Sequence, residues 1–449
     1  MAGTIRFPRN PPPASARRGG HAGRDGGIRG SGRRRAVVLA AVPMAAIAAA
    51  SGEGRRAETP ASEHEQRKAT EMVTLALCGD VMLARGIDQI LPHPSDPTLY
   101  EDHVHSALTY VALAERANGA IPRPVDFAYV WGDALAELRR ADLRVVNLET
   151  SVTTSPTPAP KGINYRMHPR NVGCLRAAGI ECCVLANNHV LDWGEAGLLE
   201  TLDTLEWAGI RTAGAGRDLA RAAAPAAIPL AQGGTGEGAS NDGARRLLVF
   251  GLGSVTSGIP RDWAATPGRP GVHLLDDLSA ATAARLADQV RAAKRPGDIA
   301  LASIHWGPNW GYEIPREFRA FAHAPIDRAG FAIIHGHSSH HPLGIEVHRN
   351  HLILYGAGDF LNDYEGIGGY EEFRGDLTAL YLPRLAPATG ELLGLRLTPF
   401  RIARMRLNHP SEEERRWLCD RLDRESRAFG VRIVMDEEGG LEARWCDET

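Results

Sequence analysis

The sequence has few cysteines, little excess charge of either sign and no long uninterrupted apolar run. Its six cysteines are scattered and none forms a CxxC pair, so a cysteine zinc site or a disulfide framework is not indicated. The formal net charge is −3, so composition gives no support for nucleic-acid binding. What remains is a chain of 449 residues, long enough for one large domain or two ordinary ones. Reduced, buried cysteines fit a cytoplasmic setting slightly better than an oxidising one.

The first 71 residues differ in composition from the rest. They are rich in Arg, Gly, Pro and Ala and show no usable periodicity, so we predict that residues 1–71 form a disordered extension. An arginine triplet and an apolar run over residues 33–50 have the layout of a secretory signal peptide, although the run is short for a membrane span. Met72 directly precedes the first strand-like segment and is an alternative start. The protein is exported if residues 33–50 act as a signal, and cytoplasmic if translation starts at Met72.

After Met72, short apolar runs alternate with helical patterns. The segments that predict buried strands include "VTLALCGD", "DLRVVNLET", "IECCVLANNH", "IALASIH", "FAIIHGHS" and "HLILYGAGDF", whereas "FAYVWGDALAELRRA" and "GEAGLLETLDTLEWAG" predict helices. Residues 230–244 are rich in Gly, Ser and Asn and predict a surface loop. Apolar strands alternating with helices predict an α/β fold. We expect a main domain at 72–390 and a strand, helix and hairpin extension at 391–449 on the same core.

Polar side chains recur where these apolar strands end. They are Asp80, Asn147, Glu149, Asn187, Asn188, His189, His305, His335 and His337, with His340 and His341 just beyond. In an α/β sheet, catalytic and ligand-binding groups gather at the carboxyl ends of the strands. Carboxylates, an amide oxygen and imidazoles suit Mn, Fe, Zn or Mg, so we predict a site for one or two divalent ions. Taken singly, each residue has a simpler explanation, such as a cap or turn for a carboxylate and core packing for a histidine.

Six segments carry a resemblance to a known family. They are "LCGDVMLARGID", "VVNLETSVT", "LANNHVLDWGEAGLLETLDTLEWAGIRTAGAG", "SIHWGPNWG", "IIHGHSSHHPLGIE" and "ILYGAGDFLND". In this order, over about residues 73–362, they resemble the capsule-synthesis protein CapA family, also called the poly-γ-glutamate synthesis family. That family is similar to the calcineurin-like metallophosphoesterases. The resemblance implies a four-layer α/β sandwich, in which two mixed β-sheets pack face to face with helices on both outer sides.

The resemblance also implies roles for individual residues. The implied metal ligands are Asp80, Glu149, Asn188, His305, His337 and His340. His189 is implied to be the general acid, or the group that holds the phosphoryl oxygen. Asp192 would orient His189 and raise its basicity, or would instead cap the helix that follows. The stretched last motif leaves open whether His340 or His341 is the second ligand.

Three motifs depart from the phosphoesterase pattern. Met82 stands where these enzymes usually carry a histidine, and a thioether is a poor ligand for a hard metal. Glu149 ends an Asn-Leu-Glu segment where Gly-Asp-x-x-Asp is usual. Asp359 stands where the family usually has Asn, which adds a carboxylate or only a turn residue. One metal position is therefore expected to be weak or differently built.

Further side chains near the motifs are candidates for substrate binding. They are Arg85, Asn147, Arg166 and Trp306, with Lys161 as another basic group. Arginine and lysine would neutralise an anionic substrate such as a phosphate or a γ-glutamyl polymer, although exposed basic residues are usually only solvated. Trp306 would line a pocket, or would simply pack in the core.

Two functions are compatible with these features. The first is a protein linked to capsule or poly-γ-glutamate synthesis that hydrolyses a phosphoester with metal-bound hydroxide and with His189 as acid. The alternative is a non-catalytic accessory protein that binds polymer or a partner on the same fold. The expected partner is an anionic small molecule or polymer and not nucleic acid. A membrane partner is also compatible, although the sequence has no convincing transmembrane segment.

Overall fold

The computed structural model describes residues 72–230 and 245–446. Within them the chain forms twenty β-strands and nine α-helices. The strands are β1 (Val73–Val81), β2 (Leu143–Leu148), β3 (Ser151–Val152), β4 (Arg166–Met167), β5 (Cys182–Val184), β6 (Arg211–Ala213), β7 (Ala215–Gly216), β8 (Ala226–Pro229), β9 (Arg246–Gly253), β10 (Gly271–Val272), β11 (Ile299–His305), β12 (Phe331–His337), β13 (Ile345–His348), β14 (His351–Leu354), β15 (Asp359–Leu361), β16 (Leu377–Leu385), β17 (Leu392–Ile402), β18 (Leu407–Asn408), β19 (Val431–Met435) and β20 (Leu441–Trp445). The helices are α1 (Arg85–Ile90), α2 (Leu108–Asn118), α3 (Ala134–Leu138), α4 (Gly173–Ala177), α5 (Gly194–Trp207), α6 (Leu219–Ala223), α7 (Ala280–Ala293), α8 (Arg316–Ala329) and α9 (Glu412–Ser426). The predicted extension at 1–71 and all but the first residue of the predicted loop at 230–244 lie outside the described residues.

Two large sheets organise the chain. The ten-stranded sheet has the order β19-β20-β17-β16-β1-β2-β5-β6, with β15 also paired to β1 and β18 to β17. The six-stranded sheet has the order β13-β14-β12-β11-β9-β8. Strands β15, β1, β2, β5 and β6 are parallel to one another, as are β9, β11, β12 and β14. The antiparallel pairs are added by β16 to β20 in the first sheet and by β8 and β13 in the second. Both sheets are therefore mixed.

The alternation of side chains along the strands creates three apolar layers. In β9, Leu247 and Val249 join Leu75 of β1 in a core between the two sheets. Phe250 of the same strand faces the other way, into a core with helices α7 and α8. A third core lies on the opposite face of the ten-stranded sheet, where Val146 packs with residues of helices α1 to α5. The predicted four-layer α/β architecture is confirmed.

The chain crosses between the sheets just after β14. This strand belongs to the six-stranded sheet, but β15 pairs in parallel with β1 and places Asp359 opposite Asp80. The crossing brings the two backbones so close that a Cβ added to Gly79 would lie 1.6 Å from the carbonyl oxygen of Gly358. Only glycine fits at residue 79. The glycine that precedes Asp80 near the end of β1 therefore has a steric cause.

The C-terminal segment completes the ten-stranded sheet. Strands β16 and β17 pair from Leu377–Arg401 to Leu385–Leu392, and β20 pairs with β17. The expected boundary between residues 390 and 391 falls in the turn that joins β16 to β17, and the division into domains stays a prediction. None of the helices in the described ranges combines the length and the apolar character that a bilayer crossing requires.

Some predicted elements are shorter than their patterns indicated. The predicted helix over residues 127–141 contains only α3 and a single 3-10 turn, because Gly132 adopts a positive φ of 46° between them. The third predicted strand ends at Val184 and does not continue to His189. Helix α8 was not predicted, since Pro325 lies inside it and interrupts its pattern.

Candidate metal centre

The polar strand ends of both sheets meet in one place. Asp80 comes from β1, and Glu149 directly follows β2 in the ten-stranded sheet. His305 and His337 are the last residues of β11 and β12 in the six-stranded sheet. All four side chains are buried. The carboxyl ends of parallel strands from two sheets therefore contribute to a single centre.

Three buried carboxylates form one part of the centre. Ligand atoms of Asp80, Glu149 and Asp359 all lie within 4.8 Å of one another. Burial, reinforced by the Asp359 carboxylate, raises the pKa of Asp80 to about 7. Burial, reinforced by Asp80, also raises the pKa of Glu149 well above its usual range. Such a concentration of buried negative charge favours a cation.

Two buried histidines form the other part. Ligand atoms of Asp80, His305 and His337 also lie within 4.8 Å of one another. The Nδ1 atoms of His305 and His337 are 2.8 Å apart, and they lie 4.0 and 3.6 Å from Oδ1 of Asp80. Burial lowers the pKa of both histidines well below the usual range. Neutral imidazole is the form that binds metals.

The donor set fits a divalent cation. Neutral imidazoles together with carboxylates provide mixed nitrogen and oxygen ligation of the kind that Mn, Fe, Zn and Mg accept. Met82 does not add to this set, because its sulfur accepts a hydrogen bond from the backbone N–H of Ala84. Oδ1 of Asp80 accepts from Nδ2 of Asn147 and Oδ2 accepts from the backbone N–H of Ser338, so the carboxylate is held in position. Ser338 has a positive φ of 97°, a strained conformation for a residue with a side chain.

His340 and His341 point to different surroundings. Nδ1 of His340 lies 2.9 Å from Oδ1 of Asp359, and although burial opposes it, this carboxylate raises the pKa of His340. The His341 ring packs against Tyr312 and Phe373, and its Nε2 accepts from the backbone N–H of Gly311. Of the two, His340 therefore lies beside the carboxylates.

The two asparagines before His189 differ in what they contact. Nδ2 of Asn187 donates to Oδ1 of Asn147 and to the carbonyl of Leu148, so this buried amide joins the loop after β5 to the end of β2. Oδ1 of Asn188 lies 3.1 Å from Nε2 of His305. Asn188 is thus adjacent to His305, whereas Asn187 supports the backbone.

A network of polar groups holds His189. Its Nδ1 lies 2.7 Å from Oδ2 of Asp192, and its ring stacks on Tyr165 at 3.8 Å between centroids. Lys161 donates to the other oxygen of Asp192 at 2.7 Å. Burial and the Lys161 ammonium lower the pKa of His189 to about 4, against the opposing effect of Asp192. Nε2 of His189 lies 3.8 Å from Oε1 of Glu149, so the ring reaches the edge of the centre.

Asp192 does not cap helix α5. The N-cap position is Trp193, and no side chain provides a cap hydrogen bond there. The Asp192 carboxylate accepts instead from the backbone N–H of Tyr165 at 2.6 Å, in addition to its contacts with His189 and Lys161. Between the two alternatives, the geometry favours orientation of His189.

The four residues predicted to bind substrate lie in different places. Asn147 lies in the centre, bonded to Asp80. Arg85 is buried in an ion-pair group with Asp363 and Glu101. The Arg166 guanidinium lies over the Trp193 ring and donates to backbone carbonyls, and Trp306 is buried against Phe318 and donates to the carbonyl of Tyr355. Substrate binding by these residues stays a prediction.

Sequence reasoning did not identify two side chains that contact the centre. Tyr165 stacks on His189, and Ser303 lies 2.9 Å from Nε2 of His337. Tyr165 lies in a loop and Ser303 in the middle of an apolar strand, so neither had a signal of its own. Asp359 did have a signal in the sequence, because it follows an apolar run in "HLILYGAGDF".

A cavity of about 410 Å³ opens beside the centre. Its lining includes Asn362, whose Nδ2 donates to Oδ2 of Asp359, and Trp310 and Tyr364, whose rings lie 5.3 and 5.4 Å from the His340 ring. Arg374 also lines it. The cavity therefore offers aromatic, amide, basic and acidic groups next to the carboxylates, the acidic ones from Glu365, Glu371 and Asp376.

Comparisons with known proteins give consistent family descriptions. Residues 74–364 match the family model for the bacterial capsule synthesis protein PGA_cap. A probable polyglutamine synthesis accessory protein of Mycobacterium tuberculosis is 47% identical over 376 residues, which cover 83% of this chain and 96% of that protein. The capsule biosynthesis protein CapA of Bacillus anthracis is 24% identical, over 73% of this chain and 68% of that protein. A solved structure of a phosphatase from Mycoplasma pneumoniae is 14% identical and covers 76% of this chain and 95% of that chain, but its TM-score of 0.36 is too low to carry an argument.

Proposed function

Because this chain belongs to the bacterial capsule synthesis protein family, we propose that it is an accessory protein of capsule or poly-γ-glutamate synthesis with a metal-dependent phosphoesterase activity. The observation that carries the hydrolytic part is the position of Asp80. It belongs both to the group with His305 and His337 and to the group with Glu149 and Asp359. A carboxylate shared by two ligand groups is suited to one ion or to a pair.

The two groups define which residues would hold the cation. His305 and His337 would supply nitrogen, Glu149 and Asp359 would supply oxygen, and Asp80 would join them. Asn188 and His340 lie at the two sides of this set. When bound, a divalent cation supplies Lewis-acid polarisation of a phosphoryl oxygen and makes a water molecule more acidic.

His189 would take part in proton transfer to the leaving oxygen. Because Asp192 accepts from Nδ1, the Nε2 atom of His189 is the one that faces the centre. A phosphoryl group beside Nε2 would favour the protonated ring, since an adjacent negative charge raises the pKa of a histidine. His189 would then hold the phosphoryl oxygen or give its Nε2 proton to the leaving oxygen. The neighbouring cavity would take the organic part of an anionic small molecule or polymer.

The first experiment is metal analysis of the full chain, with hydrolysis of bis-p-nitrophenyl phosphate and p-nitrophenyl phosphate measured in added Mn²⁺. We expect bound metal at about one or two equivalents and turnover of at least one ester. His189→Ala should keep the metal and lose about a hundredfold in kcat, since general acid catalysis contributes at least that factor. Wild-type turnover in this variant would remove the role proposed for His189.

Substitutions of neighbouring histidines locate the site. His337→Ala and His340→Ala should lower bound metal, whereas His341→Ala should not, because His341 packs among aromatic rings. The His341 variant is thus a matched control for removal of a buried imidazole. Loss of metal from His341→Ala together with full metal in His340→Ala would reverse the assignment.

A second candidate function is a non-catalytic one. Met82 directly follows β1, two residues after Asp80, and its sulfur accepts a hydrogen bond from the backbone N–H of Ala84, so this position contributes no ligand. On this alternative the same cavity binds polymer or a partner without hydrolysis. The non-catalytic function would be favoured if the full chain showed neither metal nor turnover but retained poly-γ-glutamate in a pull-down.

A further inference from the structure

A line of four hydrogen-bonded groups runs behind His337, away from the carboxylates. Nε2 of His335 lies 2.8 Å from the carbonyl oxygen of Cys78, and Nδ1 of His335 lies 3.1 Å from Oγ of Ser303. The same Oγ lies 2.9 Å from Nε2 of His337. All four residues are buried, and the line connects β1 of one sheet to β11 and β12 of the other.

The proton positions along this line follow from what each group can do. A carbonyl oxygen only accepts, so Nε2 of His335 carries the proton that it donates to Cys78. The side chain of His335 is fully buried, and no carboxylate of the described residues hydrogen-bonds to it, so a charged ring would be unpaired and costly there. The ring is therefore neutral, and its Nδ1 is an acceptor.

Ser303 transmits this constraint to His337. Its hydroxyl has a single proton, which it donates to Nδ1 of His335. Its oxygen is then left as an acceptor, so Nε2 of His337 must be the donor across the 2.9 Å contact. The other ring nitrogen, Nδ1 of His337, keeps its lone pair, and this atom lies 2.8 Å from Nδ1 of His305 and 3.6 Å from Oδ1 of Asp80.

We propose that Ser303 and His335 are positioning residues that fix His337 as the Nε2–H tautomer, so that Nδ1 is free to bind the metal. This inference rests on the proposed metal centre. Without the hydroxyl, the proton would be drawn to Nδ1 of His337, which faces Nδ1 of His305 at 2.8 Å and the Asp80 carboxylate at 3.6 Å, and there it would block ligation. A partner on the far nitrogen is the usual means by which a protein fixes the tautomer of a metal-binding histidine.

The test begins with the tautomer in the full chain without metal, in EDTA. Long-range ¹H–¹⁵N correlation spectra of ¹⁵N-histidine protein distinguish Nε2–H from Nδ1–H. We expect His337, assigned through His337→Gln, to show Nε2–H in the wild type. In Ser303→Ala we expect a shift of the His337 signals towards Nδ1–H, and in Ser303→Thr, which keeps a hydroxyl, the wild-type pattern. A wild-type protein with Nδ1–H on His337 would overturn the proposal, even if neither Ser303 variant folds.

Metal affinity is the second readout, with Mn²⁺ alone as the probe. Ser303→Ala and His335→Phe should weaken Mn²⁺ binding roughly ten- to a hundredfold, the range usual for partners of metal ligands, and Ser303→Thr should restore it. Ser257→Ala is the matched control, because its hydroxyl is also buried but donates to the backbone carbonyls of Ser254 and His305. Equal affinity of Ser303→Ala and wild type would overturn the inference while leaving the metal centre intact. If the wild type binds no Mn²⁺, the proposed function fails, and the tautomer measurement still decides whether the line of hydrogen bonds orients His337.

Discussion

At the scale of single residues, Glu149 is a buried carboxylate beside two others, Asp80 and Asp359. Glu149→Gln keeps the shape of the side chain and removes one negative charge. We expect Mn²⁺ affinity to fall at least about tenfold, since a ligand oxygen becomes an amide. In EDTA, we expect the free energy of unfolding to be unchanged or to rise by about 1 kcal/mol, because functional sites hold groups that destabilise the metal-free fold. Calorimetric titration and urea unfolding measure the two effects.

The exposed Glu195 of helix α5 provides the control for this substitution. Glu195→Gln also removes one carboxylate charge and should leave both Mn²⁺ affinity and unfolding unchanged. A loss of more than about 2 kcal/mol from metal-free Glu149→Gln would contradict the prediction, because a loss of that size is typical of broken buried contacts and not of relieved repulsion.

Asp192 has a structural role as well as the proposed orienting role. Its carboxylate accepts from Lys161, His189 and the backbone N–H of Tyr165, and it is fully buried. We expect Asp192→Ala to lower the free energy of unfolding by about 3 kcal/mol, because it leaves the partly buried Lys161 ammonium and buried donors without a partner. Urea unfolding should show this, whereas Asp203→Ala, which breaks an exposed pair with Arg217, should cost less than about 1 kcal/mol. Similar losses in the two variants would show that the Asp192 contacts are weak.

The sequence indicated part of this residue-level arrangement. The spacing of His189 and Asp192 placed them within reach, and the recurrence of polar groups at strand ends indicated a common site. Lys161 could be named only as a basic residue near the motifs, because the contact between Lys161 and Asp192 is made by a loop 31 residues away in the chain. Such contacts depend on loop conformation, which leaves no periodic signal.

At the scale of elements, Glu346 ties β13 to helix α8. Oε1 accepts from Arg319 at 2.8 Å and lies 3.0 Å from Nε2 of His323, and Oε2 accepts from Tyr355 at 2.6 Å. Burial alone would raise the pKa of Glu346, but these hydrogen bonds outweigh it and lower the pKa to about 2. The charged form is therefore favoured in the folded protein.

This shift predicts a pH-dependent contribution to stability. A carboxyl whose pKa is lowered by folding stabilises the protein above its unfolded pKa of about 4.3, and the effect is lost as the pH falls through the folded value. We expect Glu346→Gln to cost about 2 kcal/mol at pH 7, a discounted figure because Arg319 is nearly half exposed to water. Urea unfolding at pH 7, 4 and 2.5 should show the difference from wild type shrinking. A difference that does not depend on pH would contradict an ionic origin.

Long apolar strands were easier to predict than short or interrupted elements. Strands β1, β11 and β12 were indicated by their uniform apolar runs, because both of their faces are buried between layers. In "HLILYGAGDF" the same logic predicted one strand, whereas β14 and β15 belong to different sheets. The apolar pattern reports burial and does not report which sheet a strand joins.

At the scale of the whole molecule, the centre exists only because the two sheets face each other with their carboxyl ends on the same side. Asp80 and His337 come from different sheets, yet Oδ1 of Asp80 and Nδ1 of His337 are 3.6 Å apart. Sequence alone placed both residues at strand ends and indicated a common site, whereas the expectation of two sheets packed face to face depended on the family resemblance. Because the candidate ligands come from both sheets, Mn²⁺ binding should stabilise the packing of one sheet against the other.

A last prediction concerns the segment after residue 390, which contributes strands to the ten-stranded sheet. Strand β17 lies between β16 and β20, and its Leu395 and Leu397 are in the core between the sheets. A chain that ends at residue 390 would leave β16 as an unpaired edge and expose part of this core. We expect it to aggregate or to lack a cooperative thermal transition, as followed by circular dichroism. A chain with the same start that ends at residue 446 is the control and should unfold cooperatively. Cooperative unfolding of the shorter chain would show that residues up to 390 fold alone, and that β17 to β20 are an addition to a finished sheet.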